Sequence, residues 1–264
     1  MSNPQPVGPA PRESTEPVPP PRDRDPVPRA LTAVAVLLTI GSAAMDVACF
    51  TRLGGVFASV MTSNILFLGL SAGRHSGSLA IRAGIGVAAY VTGVAAASRL
   101  ARTDQRTGDP DGPGERPWSP WIAATLISEI LLLAGFTTGW ESTGGRPAGG
   151  TQVFLLALAA LAMGMQSGVV AAMGLAGFST TYLTGTLTTL IDSLASPRLR
   201  PAGNGRRIAT LCALAGGAGL SGLLLGTVPA AVPAVPLAML AGVIGAGLVW
   251  LRPRRHPGPG QDVS

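Results

Sequence analysis

The chain is poor in the groups that most chemistry uses. It has no lysine, only two cysteines and two histidines, and only 12% of its 264 residues are charged. A soluble globular domain carries about 25% charged residues, so the shortage of charge excludes an ordinary soluble enzyme. Cys49 and Cys212 both fall inside apolar stretches, which excludes a disulfide framework, and His75 and His256 fall outside them, which excludes a Cys/His metal cluster. No HExxH, GxSxG or Ser/His/Asp set occurs, so no catalytic residues, no metal and no cofactor are expected, and the protein is not expected to be an enzyme. What the chain does have is apolar bulk. Hydrophobic residues make up 47% of it, with 36 Gly, and the mean hydropathy is +0.42. The composition is that of an all-α polytopic membrane protein.

All 19 basic residues are Arg, against 13 acids, for a net charge of +6. Nucleic acid is nevertheless not an expected partner. The arginines gather at the ends of apolar segments and in the tails, where the positive-inside rule places them, and not on a basic face interleaved with aromatics. Residues 1–28, rich in Pro, Arg, Glu and Asp, read as a disordered tail, and 252–264 as a short second tail. Residues 29–251 form the transmembrane domain. Arg falls mostly on the face that carries both ends of the chain, which places both termini in the cytoplasm and the protein in the cytoplasmic membrane as a multi-pass chain.

Eight hydrophobic segments stand out, near 30–49, 56–73, 83–98, 118–138, 152–173, 178–195, 208–228 and 234–251. Crossing a ~30 Å hydrocarbon layer takes about 20 residues, so at least six segments span. The second and sixth are long enough as apolar runs to favour eight crossings over six with two re-entrant pieces. Sliding the chain by 122 residues lays Thr62-Ser63-Asn64 on Thr184-Gly185-Thr186, Gly55 on Gly177, and 83–98 on 205–220, which suggests a 4+4 internal repeat. Four-span units would be parallel, and three-span units with a re-entrant piece inverted.

Polar groups inside these segments need a reason, because an acid at mid-membrane costs about 2.5 to 3.5 kcal/mol on the insertion scale. Asp46 lies near the end of the first segment, close enough to Arg52 to pair with it or to reach water. Glu129 sits about halfway between Trp118 and Trp140, aromatics of the kind found at membrane interfaces, and suits either a proton-coupled site or a neutral hydrogen-bond donor. Thr181, Thr184, Thr188 and Asp192 form one stripe of the sixth segment and should face other helices or a wet cavity, unless the threonines bond back to their own carbonyls. Ser59, Thr62, Ser63 and Asn64 bring polarity to the matching place in the first half. Gln166 adds a buried amide between Gly164 and Gly168, a small-residue spacing that Gly222 and Gly226 repeat and that favours close helix approach.

The run GSAAMDVACFTRLGGVFASVMTSN, followed by SEILLL, AMGMQSG and STTYLTGTLTTL, resembles the YoaK-like family of bacterial integral membrane proteins over roughly residues 30–250. The family's Asp before a GG turn and its Thr-Gly-Asn triplet correspond to Asp46, Gly54-Gly55 and Thr62-Ser63-Asn64, with Ser63 in place of the usual Gly. Its Glu before a leucine run corresponds to Glu129, its Met-Gly-x-Gln to Met163, Gly164 and Gln166, and its Thr-Tyr-x-Thr-Gly-Thr to Thr181, Tyr182, Thr184, Gly185 and Thr186. The resemblance implies an uncharacterised membrane family with no substrate to carry over.

These features predict a small secondary transporter or permease, whose substrate and protons meet Asp46, Thr62, Asn64, Glu129, Gln166, Thr181, Thr184, Thr188 and Asp192 in one polar site between the repeats. The expected partners are the lipid bilayer, an unidentified small-molecule or ion substrate, and optionally further copies of the chain as a homo-oligomer. The competing expectation is a non-transporting scaffold in which the same residues only specify helix packing.

Overall fold

The structure, a computed structural model, describes residues 29–107, 120–172, 183–195 and 204–250; both tails read from the sequence lie outside these residues. The described residues form eight α-helices and no strand: α1 (Arg29–Arg52), α2 (Met61–Gly73), α3 (Gly77–Thr107), α4 (Pro120–Ser142), α5 (Gly149–Ala172), α6 (Leu183–Ala195), α7 (Asn204–Thr227) and α8 (Ala234–Trp250), with a 3-10 turn at Pro229–Ala231 before α8. Six of them (α1, α3, α4, α5, α7 and α8) are long and apolar enough to cross a membrane.

Among the described residues, α2 and α6 fall short of the length that eight crossings would need. Each is 13 residues long, about 20 Å at 1.5 Å per residue, which is short of the hydrocarbon thickness. The apolar run that starts near Val56 is longer than its helix because residues 53–60 are spent on a loop. That loop leaves and returns at one end of the bundle. The carbonyl of Arg52, at the end of α1, accepts from Gln152 Nε2 of α5 (2.6 Å), and Gln152 Oε1 accepts from Arg82 of α3 (3.1 Å). The end of α1 and the first turns of α3 and α5 therefore share one face, and α2 lies between them as a piece that enters and comes back.

The remaining contacts fix the helix directions. α1 and α7 run the same way, with the Ser221 hydroxyl donating to the Ala44 carbonyl (2.9 Å). α3 and α5 also run the same way, so closely that a Cβ on Gly164 would overlap the Tyr90 carbonyl and one on Gly168 would meet the Cβ of Ala97. The small-residue spacing at Gly164 and Gly168 thus marks close approach, as expected. Gly222 and Gly226 do not follow: among the described residues no atom of another element lies within 4 Å of a Cβ at either. α8 runs against α1, with Gly41 on Pro236 and Met239, and α4 runs against α5, with Gly139 on Leu155. The core lies at the centre of this arrangement, around Met45, Leu53, Leu133, Phe136, Trp140, Leu155 and Leu240. Trp140 is fully buried there, and its indole N–H donates to the Pro229 carbonyl (2.7 Å). It is an internal clamp between α4 and the turn before α8, where the sequence suggests an interfacial aromatic.

Candidate functional site

Among the described residues, the polar groups singled out from the sequence do not form one chamber. They separate into two buried clusters and an exposed stripe on α6.

The first cluster holds the re-entrant loop. α1 ends at Gly54 and Gly55, which adopt left-handed backbone (φ +102° and +78°), and the Gly55 N–H returns to the Phe50 carbonyl (3.1 Å). The turn sends the loop back down beside α1 to the level of Asp46. There the Asp46 carboxylate accepts the backbone N–H groups of Ala58 and Ser59 (2.8 Å each), and its second oxygen accepts the Ser59 hydroxyl. Asn64, with 0% exposure, completes the loop by pairing with the backbone of Phe57: its Oδ1 accepts from the N–H (3.0 Å) and its Nδ2 donates to the carbonyl (2.7 Å). Phe57 stacks between Phe50 and Phe67. Groups predicted to meet a substrate are therefore used to satisfy loop backbone, which has no water to bond with at this depth. Asp46 is 6% exposed and is bound by the loop, where the sequence suggested Arg52 or water. Thr62, at the start of α2, is exposed.

The second cluster is built on Glu129. This side chain is 3% exposed, on the face of α4 that turns toward α1, α5 and α8. Its helical neighbours Thr125 and Ser128 bond back to Trp121 and Ala124 of their own helix (2.7 and 2.8 Å) and do not reach it. Among the described residues no group is hydrogen-bonded or ion-paired to the Glu129 carboxyl. It borders a cavity of about 10 Å³, the room of a single water. Gln166 lines the same cavity from α5 and makes one long contact, from its Nε2 to the Leu38 carbonyl (3.5 Å). Leu38, Met163, Pro236 and Met239 supply apolar walls. Of the eight predicted site residues that the structure describes, Glu129 and Gln166 alone share this cavity.

The stripe on α6 is corrected. Thr184, Thr188 and Asp192 are all exposed on the outside of the chain, and the Thr188 hydroxyl donates to the Thr184 carbonyl one turn back (2.9 Å). Periodicity correctly placed them on one face, but α6 packs mainly on α7 and presents that face outward. Thr181 lies outside the described residues.

No pattern in the residues singles out Pro236, which lines the Glu129 cavity, or the Arg82–Gln152 pair that closes the end of α1. Gln152 does carry a sequence signal, since it is an amide at the fourth position of an apolar helix that starts with Gly149-Gly150.

A family model described as a protein of unknown function (DUF1275) matches residues 34–246. The chain is also similar to the UPF0700 transmembrane protein YoaK of Bacillus subtilis (strain 168), at 26% identity over 159 residues. That match takes in 60% of this chain and 65% of the relative, so less than two thirds of the relative's length is covered. No solved structure matches.

Proposed function

The chain belongs to the membrane family described as a protein of unknown function (DUF1275), and from that premise we propose that it is a small secondary transporter in which Glu129 carries the coupling proton. The observation that supports this reading is the buried Glu129 carboxyl without a protein partner, placed where four helices meet around a cavity. Every other buried acid or amide with a structural task in the described residues is bonded to backbone, as Asp46 and Asn64 are. A carboxyl left unpaired inside a bundle loses stability, and such groups in membrane proteins mark proton and ion paths. Gln166 faces the same space and can hydrogen-bond to whichever form Glu129 takes. The apolar walls leave the carboxyl as the main specific contact, so the substrate would be small and would depend on that group for recognition.

The competing reading is a non-transporting scaffold. It is favoured by the Asp46 and Asn64 cluster and by the back-bonded threonines, in which polarity serves folding alone. One experiment separates the two. In liposomes carrying a trapped pH dye, panels of small organic cations, organic anions and neutral solutes are added outside, and internal pH is followed for the wild-type chain and for Glu129→Gln. A transporter gives solute-dependent pH changes that Glu129→Gln abolishes while insertion and melting are kept. A Glu129→Gln chain with wild-type flux removes Glu129 from the mechanism, and a wild-type chain that moves no solute leaves the scaffold.

A further inference from the structure

Four close approaches between helices from the two halves of the chain share one offset. On α1 and α7, a Cβ at Gly217 would overlap the backbone of Ile40, and one turn further Ser221 is bonded to Ala44. On α5 and α3, a Cβ at Gly93 would overlap the Leu161 carbonyl and the Met165 N–H, with the Gly164 carbonyl carbon between them at 3.1 Å, and one turn further Gly168 meets Ala97. Ile40 and Gly164 are 124 positions apart, as are Gly93 and Gly217. Ala44 and Gly168 are again 124 apart, and so are Ala97 and Ser221. Independent helix pairs have no reason to agree in this way. The two short helices agree as well: α2 and α6 are both 13 residues long, and each ends with a buried serine hydroxyl donating three residues back, Ser71 to Leu68 and Ser193 to Leu190 (2.7 Å each).

The matched helices run in opposite directions. The first turn of α5 sits at the end of α1, so these two are antiparallel. α7 follows α1 and α3 follows α5, so α3 and α7 are antiparallel too. The Glu129 cavity lies on one such mated pair: Leu38 and Gly41 of α1 line it with Met163 and Gln166 of α5, at an offset within one residue of the other contacts, and Glu129 of α4 and Pro236 of α8 complete the lining.

We propose that α1–α4 and α5–α8 are two units of opposite orientation, related by a pseudo-twofold axis through the Glu129 cavity, and that exchanging the packing of the two units opens this cavity to each membrane face in turn. Opposed units can adopt each other's conformation, and a site on their axis is then equivalent toward both sides. The exchange rests on the transport reading, whereas the opposed architecture does not.

The test uses the full chain with Cys49→Ala and Cys212→Ala, bearing single cysteines at Ser76, Gln105, Ser142 or Gln261 and probed with an impermeant maleimide before and after permeabilisation. Opposed units place Gln105→Cys on the same side as Gln261→Cys, with Ser76→Cys and Ser142→Cys on the other. Eight crossings with parallel units place Ser76→Cys and Ser142→Cys with Gln261→Cys and leave Gln105→Cys opposite, and that outcome overturns the architecture. The exchange is read separately from Met163→Cys on the cavity wall, using a small impermeant thiosulfonate on right-side-out and inside-out vesicles. Modification from both faces is expected. Modification from one face or from neither overturns the exchange, and it does so whether or not the flux assay finds a solute.

Discussion

Ser59 is tied to Asp46 twice, once through its backbone N–H (2.8 Å) and once through its hydroxyl, so a single carboxylate on α1 fixes the deepest point of the loop that leads into α2. The neighbouring Ala58 N–H shares the same oxygen. This carboxylate is structural, and its removal should be felt as lost folding.

Asp46→Ala leaves two buried N–H groups and a hydroxyl without their acceptor, at about 1 to 3 kcal/mol for each unsatisfied group. The purified variant should melt well below the wild type in detergent, with Asp46→Asn in between because it keeps an acceptor oxygen. Equal melting temperatures for the wild type and Asp46→Ala would show that the loop is held by other means.

Asn64 makes a comparable test at the other end of the loop. Asn64→Asp keeps the acceptor for the Phe57 N–H but loses the donor to the Phe57 carbonyl and sets two oxygens against each other. It should destabilise at least as much as Asn64→Ala, although the shape is conserved. A variant Asn64→Asp that melts with the wild type would contradict the paired geometry.

The close passage of α3 along α5 predicts a contrast between glycines. Gly164→Ala places a methyl group into the Tyr90 carbonyl and should lower the yield of monodisperse protein on size-exclusion chromatography, as Gly93→Ala should by meeting the Leu161 carbonyl. Gly222→Ala and Gly226→Ala, with nothing nearby, should leave the yield unchanged or raise it slightly through better helix propensity. Four equal yields would mean that the α3 and α5 backbones do not approach this closely.

Trp140→Phe keeps the ring in the core and removes the N–H that reaches the Pro229 carbonyl (2.7 Å). That carbonyl retains the Val232 N–H (3.3 Å), so the expected loss is about 1 kcal/mol, read as a small drop in melting temperature with flux unchanged. A loss of flux at unchanged stability would instead give Trp140 a part in the transport cycle.

Much of this was legible from the residues in order. Apolar run lengths gave the helices, and the position of Glu129 midway along its segment foretold a buried acid. Periodicity could place Thr184, Thr188 and Asp192 on one face but could not say which way the face turns, because that depends on what α6 packs against. Asp46 and Asn64 were visible as polar groups inside apolar segments. Their partners were not, because the donors are backbone groups of Phe57, Ala58 and Ser59, and every residue but proline has such a group whatever its side chain. The second segment looked long enough to cross because Val56 and Phe57 are apolar, and they are apolar because the loop itself is packed in the interior.

Asp46 finds all its donors within the next thirteen residues of the chain, so the first acid of the helical domain can be satisfied during synthesis as soon as the following loop emerges. Glu129 has no such local provision, and the cavity it borders is closed by Pro236 and Met239 only when the last helix arrives. A ribosome stalled between these two points would hold a nascent chain in which Asp46 is already settled and Glu129 still awaits its walls.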